Sequence, residues 1–119
     1  MRYALIIDDN EDVAEVLKIY LEILGFKVKL IENCIRSIKH YKENFNKYDI
    51  ICIDYCMPKL NGLDLFYKFY KINPKIKAFI HSGKSKPVEM RNKIEGLYGF
   101  IQKPFNLDII KDLIKIMEA

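Results

Sequence analysis

Ile50-Ile51-Cys52-Ile53 is an unbroken apolar run that stops at a carboxylate, Asp54. A strand written this way has no polar face, so both of its faces must be covered. Met57-Pro58 and then Asn61-Gly62 follow and read as a loop. Asp54 therefore sits where a buried strand leaves the core and meets solvent. In an open parallel sheet that edge is the ligand face.

The rest of the chain supplies the cover. Tyr3–Ile7 reads as a buried strand, and Asp8-Asp9-Asn10 supplies a helix cap. Val13, Val16, Leu17, Tyr20, Leu21 and Leu24 then recur at helical spacing until Gly25 stops the helix. Lys27–Ile31 is a second strand, and Ile35, Ile38, Tyr41 and Phe45 mark a second, more polar helix. After Ile50–Ile53, Leu63–Ile72 is a third helix ended by Asn73-Pro74. Ile76–Ile80 is a fourth strand, and Pro87 opens a short fourth helix that Gly96 ends. Gly99-Phe100-Ile101 is a fifth strand, closed by Lys103-Pro104. Asn106 caps a last helix carrying Leu107, Ile110, Leu113, Ile114 and Met117. Strand and helix alternate five times, which predicts an α/β, doubly wound, five-stranded parallel sheet.

The chain has 119 residues, enough for one domain and one core. Its last helix ends at the last residues, so residues 1–119 are expected to be a single domain with no output domain. The net charge is +4, from 20 Lys and Arg against 16 Asp and Glu. The excess is mostly Lys scattered over helix faces without a recognition motif, so no direct nucleic-acid partner is expected. Cys34, Cys52 and Cys56 lack metal-ligand spacing and read as reduced thiols of a cytoplasmic protein. No stretch is long enough to span a bilayer, and Met1-Arg2-Tyr3 runs straight into a strand, so neither a membrane partner nor a secretory signal is expected. His40 and His81 are far apart in sequence and form no metal motif.

Four strands deliver polar residues to one edge: Asp8 and Asp9 after the first, Asp54 at the end of the third, Ser82 after the fourth, Lys103 after the fifth. Taken singly, each has an ordinary reading as a cap, turn or surface residue. Taken together, three carboxylates in one cleft repel and need a cation. Oxygen ligands without a paired His or Cys favour a hard ion, Mg²⁺ first and Mn²⁺ as the alternative. One dication plus Lys103 balances three carboxylates, which leaves a carboxylate oxygen free to attack a phosphoryl group.

The ordered set Asp8-Asp9, Asp54 with Met57-Pro58 and Gly62, Ser82, and Lys103-Pro104-Phe105 resembles the receiver domain of bacterial two-component response regulators. The resemblance covers essentially the whole chain. It implies the flavodoxin-like, CheY-like (βα)5 fold with strand order 2-1-3-4-5. By that resemblance Asp54 is the phosphoacceptor. Asp8, Asp9, Asp54 and the backbone carbonyl of Cys56 bind Mg²⁺. Lys103 contacts the phosphoryl group, and its bond to Pro104 is expected to be cis. Ser82 and Phe100 form the switch pair, although Phe100 reads equally well as a core aromatic. Cys56 and Lys84 fall where relatives tune dephosphorylation.

The implied function is that of a phosphoacceptor in a phosphorelay, not an enzyme acting on other substrates. Phosphoryl would come from a histidine kinase or phosphotransfer protein. A downstream protein would be bound through the face made by the fourth helix, fifth strand and last helix, by a monomer or a phosphorylation-dependent dimer. The alternative is the receiver portion of a longer DNA-binding transcriptional regulator that dimerises on phosphorylation. A Mg²⁺ phosphatase is disfavoured, because neither Asp8-Asp9 nor Asp54-Tyr55-Cys56 has Asp-x-Asp spacing.

Overall fold

The computed structural model describes residues 2–119; Met1 lies outside the described residues. Five strands, β1 (Arg2–Ile7), β2 (Phe26–Ile31), β3 (Ile50–Asp54), β4 (Ala78–Ser82) and β5 (Leu97–Gln102), form one sheet in the order β2-β1-β3-β4-β5. Every neighbouring pair is parallel. Four α-helices surround it: α1 (Glu11–Ile23), α2 (Cys34–Asn44), α3 (Gly62–Ile72) and α4 (Leu107–Glu118). The strand order and the α/β architecture agree with the reading of the sequence.

The core is split by the alternation of side chains along each strand. Leu5, Ile7, Ile51, Ile53, Ala78 and Ile80 face α2 and α3, and pack with Tyr41, Phe66 and Phe69. Tyr41 stacks on Phe69 with ring centroids 4.3 Å apart. Ala4, Ile6, Ile50, Cys52 and Phe79 face α1 and α4, against Ala14, Leu17, Leu21, Ile110, Ile114 and Met117. Ile50–Asp54 is buried at every position, as its sequence requires.

Each α-helix starts on an asparagine. The Asn10, Asn33, Asn61 and Asn106 side chains accept from Val13, from Ile35 and Arg36, from Asp64, and from Ile109. Such a cap contributes about 1 kcal/mol. The inward faces differ in detail from the helical spacing read in the sequence. Val16 and Ile35 lie outward at 44% and 51% exposure, and Ala14 and Cys34 fill the inward positions.

The fourth helix expected between Pro87 and Gly96 is not formed. That stretch holds only a 3-10 turn, Val88–Met90, and the fold is therefore short of one α-helix. Its sequence explains why. Met90 is the one buried side chain of the turn, Val88 is 70% exposed, and Pro87 gives the turn no side-chain cap. A helix this short is marginal without an apolar face to dock. Gly96 instead takes a left-handed φ of 85° ahead of β5.

Gly62 ties the loop after β3 to the sheet edge. Its N–H donates to the Tyr55 carbonyl at 2.8 Å. A Cβ there would lie 2.6 Å from the Asp54 carbonyl oxygen and 2.8 Å from Tyr55 Cα, both backbone atoms that cannot rotate away. Gly62→Ala is expected to lower the unfolding free energy by about 1–3 kcal/mol. Urea unfolding checks it, and an unchanged midpoint would show that the loop can move aside.

Candidate functional site

The alternation that divides the core also sorts the strand ends. Asp8 lies two residues beyond Ile6, Asp54 two beyond Cys52, and His81 two beyond Phe79, so all three continue the α1/α4 side. Asp8 and His81 are fully buried and Asp54 is 4% exposed. One ligand atom from each lies within 4.8 Å of the others. Ser82 continues Ile80 and belongs to the other side.

Lys103 closes the group. Its ammonium stands 3.3 Å from Asp54 Oδ1 and 3.6 Å from Asp8 Oδ2. The backbone places it there, since the Lys103 N–H donates to the Ser82 carbonyl at 2.7 Å. The Lys103-Pro104 peptide is cis, as expected. Asp8 Oδ1 accepts from the Asn10 N–H at 2.8 Å, whereas Asp8 Oδ2 accepts no hydrogen bond among the described residues.

One ammonium against two buried carboxylates leaves them short of positive charge. Burial first, and the Asp8 carboxylate second, push Asp54 up to about 6, with Lys103 opposing. Burial also raises Asp8, opposed by the Asn10 N–H and Lys103. His81 goes the other way, to about 3, because burial and the nearby Lys103 charge disfavour imidazolium. At neutral pH the His81 imidazole is therefore neutral and Asp54 is ionised.

Above it opens a cleft of about 850 Å³ lined by residues that include Asp9, Asp54, Cys56, Lys84 and Lys103. Asp9 is exposed on its wall. Asp9 and Asp54 share this cleft, Asp8 lies buried beside Asp54, and the Asp8 oxygen without a hydrogen bond fits a divalent cation. The Cys56 thiol is exposed and lies 3.8 Å from the Ser82 hydroxyl, which accepts from the Lys84 N–H at 3.0 Å. Phe100 is half-buried on β5 beside Ile80, lining a separate groove with Lys86, Met90 and Arg91.

The structure therefore gathers Asp8, Asp9, Asp54, Lys103, Ser82, Cys56 and Lys84 at one edge and sets Phe100 apart from the carboxylates. The sequence reading missed His81. β4 runs two residues past Ile80, and counting in twos from Phe79 would have placed the imidazole beside Asp8 and Asp54.

Residues 4–115 match the family model described as response regulator receiver domain. The chain belongs to this family. The chemotaxis protein CheY of Thermotoga maritima is 32% identical over 103 residues, covering 85% of this chain and 84% of that protein. The C4-dicarboxylate transport transcriptional regulatory protein DctD of Rhizobium meliloti is 29% identical over 104 residues, 87% of this chain but 22% of that regulator. Many curated relatives are longer in this way: the chain also spans 45% of the CpxR homolog of Haemophilus influenzae. The solved response regulator protein TrrA of Thermotoga maritima, in complex with Mg²⁺-BeF, superposes with a TM-score of 0.82 at 25% identity, over 98% of this chain and 99% of that one. Receiver domains are signalling modules rather than enzymes of general turnover. Among the described residues no helix is long and apolar enough to cross a membrane.

The raised Asp54 carboxyl makes a signed prediction. Between pH 3.8 and about 6 the folded protein keeps a proton that the unfolded chain releases. Its contribution to stability is full below pH 3.8 and is lost as pH rises through 6. Asp54→Asn removes that loss. The variant is expected to be more stable than the parent by about 1–3 kcal/mol at pH 7, with the gap closing toward pH 4. Denaturant unfolding at several pH values checks it; a pH-independent gap would refute the charge origin.

Proposed function

We propose that this receiver domain is a phosphorylation switch whose phosphoacceptor is Asp54. The observation that carries the reading is Lys103 Nζ, 3.3 Å from Asp54 Oδ1 and 3.6 Å from Asp8 Oδ2 at the C-terminal edge of the sheet. A nucleophilic oxygen and a cation for the transferred group are thereby side by side. An Asp54 oxygen attacks phosphorus. The bond from phosphorus to the donor's imidazole nitrogen breaks, and the electron pair stays on that nitrogen. The donor is a histidine kinase or a phosphotransfer protein.

Asp8, Asp9, Asp54 and the Cys56 carbonyl would hold a divalent cation, which would neutralise the carboxylates and the transferring phosphoryl oxygens. Lys103 binds a phosphoryl oxygen from the other side. The Ser82 hydroxyl, held by the Lys84 N–H in this structure, turns to donate to the new phosphoryl group. Phe100 follows from the neighbouring strand. The surface that changes is the connection 83–96, with β5 and α4. It carries Lys86, Arg91, Tyr98, Lys111 and Lys115 and binds a downstream protein. Because a 3-10 turn replaces the fourth helix there, the output face is an irregular segment beside a strand and one helix.

A second reading is favoured by the relatives' lengths: the 119 residues act as the receiver portion of a longer DNA-binding regulator and dimerise on phosphorylation. Sizing with and without phosphoryl donor separates the two, since a doubled mass supports the dimerising form.

Intact mass after acetyl phosphate and Mg²⁺ tests the main reading. One added phosphoryl group is expected on the parent, absent in Asp54→Asn and in chelator. An adduct that persists in Asp54→Asn would place the acceptor elsewhere.

The lifetime of the phosphorylated form follows from the cleft wall. Cys56 is a poor water-orienting group, and Lys84 lines the same cleft. Cys56→Asn is expected to shorten the lifetime severalfold, read as decay of the phosphorylated mass. An unchanged decay would make Cys56 a neutral surface choice.

A further inference from the structure

His81 is buried completely, yet neither Nδ1 nor Nε2 has a hydrogen-bond partner among the described residues. An imidazole left this way is destabilising relative to an apolar side chain of similar shape. Its neighbours on the ring faces are Phe79 and Phe105, with centroids 6.3 and 6.1 Å away, and these satisfy nothing polar. Across the remaining gap, 3.8 Å from Nδ1, lies Asp8 Oδ2, itself without a hydrogen bond. Neither atom is hydrogen-bonded, and Asp8 Oδ2 has only the Lys103 ammonium at 3.6 Å besides, so the pair has unused ligand capacity.

We propose that the cation site of this receiver includes the His81 imidazole as a nitrogen ligand beside Asp8 and Asp54, so that it selects Co²⁺ over Mg²⁺. The inference rests on the reading of Asp54 as a cation-assisted phosphoacceptor and adds a ligand to it. Ligand atoms that each lie about 2.1 Å from one ion stand at most about 4.2 Å apart. The His81 and Asp8 atoms, at 3.8 Å, already meet that limit, and the full set lies within 4.8 Å. Closing the remainder takes a shift of a few tenths of an ångström. Co²⁺ stands well above Mn²⁺ in affinity for nitrogen ligands, whereas Mg²⁺ and Mn²⁺ prefer oxygen. The Lys103 ammonium lies against the same carboxylates. At 17% side-chain exposure it has a path outward when a dication arrives.

The test uses the His40→Gln protein, in which His81 is the sole imidazole. Binding of Mg²⁺, Mn²⁺ and Co²⁺ is measured by calorimetry, and the Co²⁺-loaded protein is examined by proton NMR. The expected result is a hyperfine-shifted, exchangeable ring N–H signal. In His81→Leu that signal is lost, and the preference for Co²⁺ over Mg²⁺ falls at least about tenfold. His81→Gln, which retains a donor for Asp8 but ligates poorly, is expected to behave like the Leu variant.

An ion that binds with an unchanged preference in His81→Leu, and without the shifted signal in the parent, would overturn the ligand assignment and leave the Asp54 reading standing. Recovery of the preference in His81→Gln would likewise overturn it, making His81 a positioning residue for Asp8. Failure of all three ions to bind would take the cation-assisted reading down with it.

Discussion

A parallel sheet covered on both faces leaves almost no room for a polar side chain. In this chain β3 and β4 are buried at every position, and the layers α1/α4 and α2/α3 exclude water from either side. Polar chemistry is therefore displaced to the strand ends, where the backbone emerges but packing persists. Asp8, Asp54, His81 and Ser82 all sit there with little or no exposure. Their unusual ionisation follows from that placement. Burial raises the carboxyl groups and lowers the imidazole, and a single ammonium, Lys103, offsets part of the cost.

The same constraint explains a site poised for charge but unbalanced without it. Asp8 Oδ2 has Lys103 at 3.6 Å and His81 at 3.8 Å, and a hydrogen bond with neither. A dication bound there would change the local balance by two charges where solvent screens poorly. Small shifts at the edge are then coupled to large energies. That coupling suits a switch more than a catalyst of turnover.

Much of the fold was legible because its signals are local. The apolar run Ile50–Ile53, the asparagine at the start of α4 and the alternation of strands with amphipathic stretches each act over a few residues, and the structure follows them. Asp8, Asp9, Asp54, Ser82 and Lys103 were legible as site candidates because each interrupts or follows an apolar segment. His81 was not, since it closes the apolar segment Ala78–Ile80 and its significance depends on which face it takes. The fourth helix was read from its punctuation, Pro87 and Gly96, but punctuation marks ends without supplying a docking face. With Met90 as the buried anchor of that turn, tertiary packing had little to hold.

The asparagine caps have a consequence for how a signal could spread. Asn10 and Asn61 begin α1 and α3 beside the carboxylates, yet their amides carry no charge at any ordinary pH. An aspartate at either position would satisfy the same backbone donors, but its grip would vary with every ion or phosphoryl group that came and went. Neutral caps insulate the helix starts from that traffic, so the frame stays put while the edge changes its charge. Among the described residues, the strand-to-helix connection lacking such an anchor is the stretch beyond Ser82, where Pro87 offers no side-chain bond. The other four strand-to-helix connections are each held by an asparagine amide.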